Sequence, residues 1–212
     1  MIFRDDIETY LHQFGVEYSG EILAALDSYA RLVEKFNASL NLVSKTDTGS
    51  EIVKQIIDSS ALTKFMSPEK NSTLLDIGSG AGFPGIVLKI FWPEIHLISL
   101  DSSPRKITFQ DEAASKLNLR DCEFVNLQFQ EYRPEREIDY ITVKALGNFK
   151  KVLAFAGRAL REEGSLIFYL GETVPEELKE IEDAPFRLGS ENLYSLPNYP
   201  GDLRFLKLIK TV

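Results

Sequence analysis

The 212-residue chain has one cysteine, Cys122, two histidines and one tryptophan. A single thiol cannot close an intramolecular disulfide, and without a thiol cluster there is no cysteine zinc site. No metal site is expected. The opening MIFRDDIETY lacks the basic segment and apolar run of a secretion signal. No stretch stays apolar for the ~18 residues a membrane span needs. These absences predict a soluble, cytoplasmic protein. Positive charge is also scarce: 24 Lys and Arg stand against 32 Asp and Glu, for a net charge of −8. That argues against holding nucleic acid by total charge, although a local basic face stays open. No repeat or low-complexity segment is visible, and nothing marks an oligomer interface, so a monomer is the default. What the chain does have is 44% apolar residues, enough for one substantial core with or without a small appendage.

The first seventy residues read as helical. DDIETYLHQF places Ile7, Tyr10, Leu11 and Phe14 at helical spacing. SGEILAALDSYARLVEKFN carries a longer stripe through Ile22, Leu23, Leu26, Tyr29, Ala30, Val33 and Phe36, ending at Asn37. LNLVSKTDTGS reads as a loop, and EIVKQIIDSSALTKF resumes the helix. From Thr73 the rhythm changes. TLLDI, IHLISL, CEFVN, IDYITV and SLIFYL are short apolar runs that alternate with helical stretches GIVLKIF, PRKITFQDEAASKLN and NFKKVLAFAGRALREE. Strands alternating with helices predict a parallel sheet covered on both faces. Ser103 before Pro104 suits a helix start, and Gly164 suits a helix end. The tail predicts a helix at PEELKEI and a last strand at LRFLKLIK. The expected architecture is a helical cap, residues 1–70, on a doubly wound, mostly parallel α/β domain, residues 71–212, together one compact unit.

LDIGSGAGFPG, residues 75–85, lies between the first strand and a helix, where a glycine loop binds nucleotide-like ligands. Gly78, Gly80 and Gly82 allow tight turns and close approach of a ligand. Asp76 stands just before them. A carboxylate is unfavourable near a pyrophosphate but favourable near an ammonium or sulfonium, and S-adenosylmethionine carries both cations. Asp101, at the end of the second strand, suits two ribose hydroxyls and serves that ligand or NAD equally. The balance favours S-adenosylmethionine over a dinucleotide. After the third strand, Phe129 reads equally as packing on an adenine ring or as a core aromatic. Gln130 suits the exocyclic amine.

Taken in order, LNLVSKTD, QIIDSSAL, LLDIGSGAGFPGIVLKI and the stretch from Ser99 to Leu119 resemble the small-subunit ribosomal RNA methyltransferase G family, also called the glucose-inhibited division protein B family. The resemblance runs from about Phe36 to Gly171. Its most specific element is GSGAGFPG followed by Asp101, Ser102 and the run SPRK that ends at Lys106. It implies a class I, Rossmann-like methyltransferase fold and transfer of a methyl group from S-adenosylmethionine to N7 of one guanosine in 16S ribosomal RNA. Gly78 and Phe83 match the family's donor loop, and Phe129 and Gln130 match its adenine-side loop. The chain departs from the family pattern at four places. Lys144 stands where arginine is usual, and Lys54–Gln55 where arginine-histidine is favoured. Leu170 replaces a lysine, and Gln130 an acid.

Guanine N7 has a free lone pair and needs no general base, so alignment is the main task. His12 and His96 read as ordinary structural residues. Lys144, closest to the acceptor, is the candidate for positioning it. Arg105, Lys106, Lys144, Lys150 and Lys151 all follow carboxyl ends of strands, the ligand face of such sheets. They predict a basic rim for small-subunit RNA; the plain alternative is a set of solvated helix-start lysines. Asn41 reads as a turn residue, Asp58 as a cap or a cleft residue, and Cys122 as a small buried one. Two other functions stay open. One is a non-catalytic methyltransferase-fold protein that binds the donor or a partner. The other, less favoured, is an NAD(P)-dependent oxidoreductase, for which no proton-donor arrangement is present.

Overall fold

A computed structural model describes residues 3–44, 47–178 and 185–211. Three helices come first: α1 (Phe3–Phe14), α2 (Gly20–Leu40) and α3 (Thr48–Ser60). The alternating region follows with β1 (Thr73–Ile77), α4 (Gly85–Phe91), β2 (His96–Asp101), α5 (Pro104–Lys116), β3 (Cys122–Asn126), β4 (Ile138–Lys144), α6 (Phe149–Ala159) and β5 (Leu160–Leu170). It closes with β6 (Phe186–Tyr194) and β7 (Leu203–Lys210). The seven strands form one sheet in the order β3-β2-β1-β4-β5-β7-β6. β1 to β5 run parallel, and β7 lies antiparallel between β5 and β6.

The predicted stripe explains how α2 docks. Leu23, Leu26, Tyr29, Ala30 and Val33 are all buried, and each large apolar side chain so covered contributes about 1.5–3 kcal/mol. Ser19 caps the helix by accepting the Ile22 N–H, and Asn41 ends it in the left-handed region, its N–H bonded to the Asn37 carbonyl. α1–α3 share one core with α4, α5 and the Leu74 and Leu97 face of the sheet. Leu75, Ile77, Ile98 and Leu100 point the other way, into a second core closed by α6. Every residue of β1 is buried, as a central parallel strand requires. No helix among the described residues is long and apolar enough to cross a membrane.

Four expectations need correction. The second helix runs past Asn37 to Leu40. The helix expected through LREE stops at Ala159, and Leu160–Gly164 open β5 instead. Glu163 takes a left-handed φ of 57°, and a side chain on Gly164 would meet the Arg161 carbonyl at 2.9 Å. Gly164 is therefore a bend inside a strand whose pairing slips between Ile138 and Tyr140. Of PEELKEI, only Glu176–Leu178 is described, as one 3-10 turn, and its last residues lie outside the described part. β6 was not expected at all.

Candidate functional site

The loop after β1 is anchored from four directions. Its first amides, of Gly78 and Ser79, donate to the Leu100 carbonyl of β2 at 2.8 and 3.1 Å. Gly78, Gly80 and Gly82 take φ values of +70°, +60° and +91°, conformations that glycine adopts without strain. From α5, Gln110 Nε2 donates to Ser79 Oγ at 2.8 Å and to the Gly80 carbonyl at 2.9 Å. From α2, the buried Tyr29 hydroxyl donates to the Ala81 carbonyl, and its ring packs on Phe83 at 5.4 Å.

Asp76 lies beneath this loop. It is 1% exposed. Its Oδ2 accepts the Gly85 N–H and its Oδ1 accepts the Thr142 hydroxyl, both at 2.9 Å. Burial pushes its carboxyl up to about 6, against those two hydrogen bonds and the nearby Lys144 charge. The carboxylate therefore ties β1, β4 and α4 together instead of facing outward, as a direct contact to a cation would require. Asp101 is placed differently. Half-buried at the end of β2, it accepts the Gly80 N–H on Oδ2 at 2.9 Å and the Ser103 N–H on Oδ1 at 2.8 Å. Each oxygen keeps a further lone pair for a ligand hydroxyl.

Lys144 ends β4. Strand register sets it one step beyond the Ile77–Val143 pair, level with Gly78, and opposite Tyr169 on β5. Its ammonium lies 2.6 Å from Asp58 Oδ2, with both side chains about nine-tenths buried. Tyr194, on β6, donates its hydroxyl to Asp58 Oδ1 at 2.7 Å. The Phe83 and Tyr169 rings stand 6.0 and 5.6 Å from the ammonium. Asp58 thus faces a buried cluster and caps nothing. Lys144 does not join an exposed rim, because the pairing draws it inside. Arg105, Lys150 and Lys151 are exposed, and Lys106 is half-buried.

The other candidates are distributed as follows. Phe129 is half-buried and meets Phe155 edge-to-face at 5.5 Å. The Gln130 carbonyl accepts from Arg133 at 2.9 Å and from Arg158 at 2.6 Å, which holds this loop against α6. Gln55 donates along α3 to Glu51 at 2.7 Å. Leu170 packs at the rim of the α6-side core. A pocket of about 290 Å³ at the ends of β4 and β5 is lined by Ala145, Leu146, Gly147, Tyr169, Leu170 and Gly171. Asn41 serves as a helix cap. His12 is exposed on α1. His96 lies in β2, and burial holds its pKa below the usual value. Cys122 is half-buried, its thiol pushed up to about 11 by burial, so it is a poor nucleophile. Among the described residues no group of three or more metal-ligating side chains forms.

Sequence reasoning missed Gln110 and Tyr29 as holders of the loop and Thr142 as the partner of Asp76. Gln110 carried a readable signal, a polar residue on the buried face of α5 beside Ile107, Ala113 and Ala114. Tyr29 was visible only as a core residue. Thr142 had no local signal within the apolar run of β4.

A family model described as "GidB: rRNA small subunit methyltransferase G" matches residues 22–198. A protein of Carboxydothermus hydrogenoformans named ribosomal RNA small subunit methyltransferase G is 32% identical over 204 residues, covering 92% of this chain and 86% of its own. One of the same name from Geobacter sp. (strain M21) is 30% identical, covering 93% and 92%. Among solved structures, TrmN from Thermus thermophilus superposes with a TM-score of 0.61 at 18% identity, covering 73% of this chain and 48% of that one. A SAM-dependent methyltransferase from Aquifex aeolicus gives 0.59 at 16% identity, covering 86% and 98%. At these identities the structural likeness speaks for the fold alone, a Rossmann-like methyltransferase fold.

Proposed function

The chain belongs to the rRNA small subunit methyltransferase G family, and from that premise we propose that it transfers a methyl group from S-adenosylmethionine to N7 of a guanosine in 16S ribosomal RNA. The observation that carries this reading is the loop after β1, three left-handed glycines held against Asp101 at the carboxyl edge of the sheet. The residues fit the donor. A Cβ at Gly80 would have nothing closer than 3.8 Å, so the backbone there is bare to an approaching ligand. When bound, the donor supplies a methyl group made electrophilic by its sulfonium.

In this reading Gly78, Gly80, Gly82 and Phe83 hold the methionine side of the donor, and Asp101 accepts its ribose hydroxyls. Phe129 and Gln130 border the adenine. Asp76 acts through its charge beneath the loop and not by contact. Lys144 positions the acceptor. N7 attacks with its own lone pair, so no side chain needs to remove a proton, in keeping with histidines that lie elsewhere. Rigid placement of the two reactants supplies the rate. The exposed Arg105, Lys150 and Lys151, with Lys106, give RNA phosphates a local basic edge on an acidic protein. The protein acts as a monomer in the cytoplasm.

The test is transfer of labelled methyl to small ribosomal subunits that lack the modification, with the labelled base mapped. Incorporation at guanine N7 is expected. Binding of S-adenosylhomocysteine without incorporation would make the chain a non-catalytic member. Preference for NADH over S-adenosylhomocysteine in calorimetry would replace the donor altogether.

A further inference from the structure

The cluster of Asp58, Lys144 and Tyr194 joins α3, β4 and β6 beside the glycine loop. A buried ion pair is weak support for a fold, because apolar side chains of similar volume usually do as well or better. Its position suggests another use. Lys144 sits level with Gly78 at the carboxyl edge and keeps its ammonium 6.0 Å from the Phe83 ring of the donor loop. An unpaired ammonium there would repel a cationic ligand. Asp58 cancels it, and Tyr194 holds Asp58 by its second oxygen. The other buried carboxylate of this region, Asp76, has only neutral hydrogen-bond donors, Gly85 N–H and the Thr142 hydroxyl.

We propose that Asp58 is a positioning residue for the donor site: it fixes Lys144 at the strand edge with its charge neutralised, so that the negative charge of Asp76 and Asp101 beside the glycine loop is not offset by a free ammonium. This rests on the methyl-donor reading above. In that reaction N7 forms the new N–C bond with its lone pair while the S–C bond breaks toward sulfur. The reacting pair therefore carries one positive charge before and after transfer. A pocket that stays negative through Asp76 and Asp101 favours that charge throughout, and a Lys144 ammonium left unpaired beside it would oppose it.

The experiment compares two donor-site ligands that differ by this charge, S-adenosylmethionine and the neutral thioether S-adenosylhomocysteine, by calorimetry on the whole protein. In D58N the ratio of the two affinities is expected to shift roughly tenfold against S-adenosylmethionine, the effect of one uncompensated charge across several ångströms of protein. In K144M it is expected to shift the other way, and in D58N/K144M to return near the starting value. A purely structural role would weaken both ligands in equal proportion and leave the ratio unmoved in all three variants, which overturns the proposal. If D58N does not fold, K144M carries the same test with the opposite sign. If the unaltered protein binds neither ligand, the donor reading itself fails, and the role of Asp58 with it.

Discussion

The loop after β1 and the loop after β4 lie side by side at the carboxyl edge of the sheet, yet they are built in opposite ways. The first turns on glycines and is tied by Asp76, Asp101, Gln110 and Tyr29 from four separate elements. The second, between Lys144 and α6, places two non-glycine residues in the left-handed region, Ala145 at φ 55° and Asn148 at φ 64°. Its described tie is the cap that Asn148 makes to the Lys151 N–H. A loop that must offer its backbone to a small ligand at fixed distances has to be overdetermined. A loop next to a large acceptor can remain loosely held, since the acceptor itself contributes contacts. The strain sits on the second loop and the bonds on the first.

Substitutions can break this contrast. The largest effect is expected at Gly82. A Cβ there would lie 2.6 Å from Ile86 Cδ1 and 2.7 Å from the Tyr29 hydroxyl, at a φ of +91°. G82A should cost about 3 kcal/mol or more, read as a lower urea midpoint, and should abolish donor binding.

Asp76 comes next. Folding raises its pKa from 3.8 to about 6. The folded chain thus binds more protons than the unfolded chain between those values, and stability falls as pH rises through that window. D76N can accept the Gly85 N–H on its amide oxygen and reverse the other bond, donating its NH2 to the Thr142 hydroxyl, and it has no such loss. Relative to the unaltered protein it should gain up to about 3 kcal/mol above pH 6, with the gain vanishing below pH 4, while losing donor affinity. Equal pH profiles in denaturant melts would refute it.

Y29F removes the donor to the Ala81 carbonyl and should cost about 1–2 kcal/mol, with weaker S-adenosylhomocysteine binding as the specific readout. The smallest change is again a gain in stability. A145G relieves a left-handed alanine and should raise the thermal midpoint slightly, by up to about 1 kcal/mol in stability. A loss there would mean that the second loop is as finely held as the first.

Much of this contrast was legible beforehand. The strand–glycine–helix order and Asp101 were local signals, and the central strands were unbroken apolar runs. What escaped was long-range or weakly patterned. β6, FRLGSENLY, buries only its ends, Phe186 and Tyr194, and its pairing slips between Leu188 and Ser190. An edge strand with one wet side and a bulge has little periodicity to detect. Leu160–Gly164 look helical because leucine, arginine and glutamate are good helix formers, and pairing with β4 overrides them. Lys144 was expected in a basic rim because it stands at the carboxyl end of β4, where ligands bind in such sheets. Only the fold shows that Asp58, far away in sequence, waits there to receive it.

The hairpin of β6 and β7 carries one further consequence. Tyr194 stacks on Phe205 at 4.4 Å and reaches Asp58 with its hydroxyl. β5 pairs with β7, not with the β6 that precedes it in the chain. During synthesis, therefore, the glycine loop, Asp101 and Lys144 all emerge before the strand that completes the sheet beside them. Asp58 acquires its second partner only after the polypeptide has passed β6 and folded back. A nascent chain that has already made its whole donor loop and both members of the Asp58–Lys144 pair still lacks the hydroxyl that holds Asp58 from β6, so this centre is completed by the emergence of that hairpin and not by the loop itself.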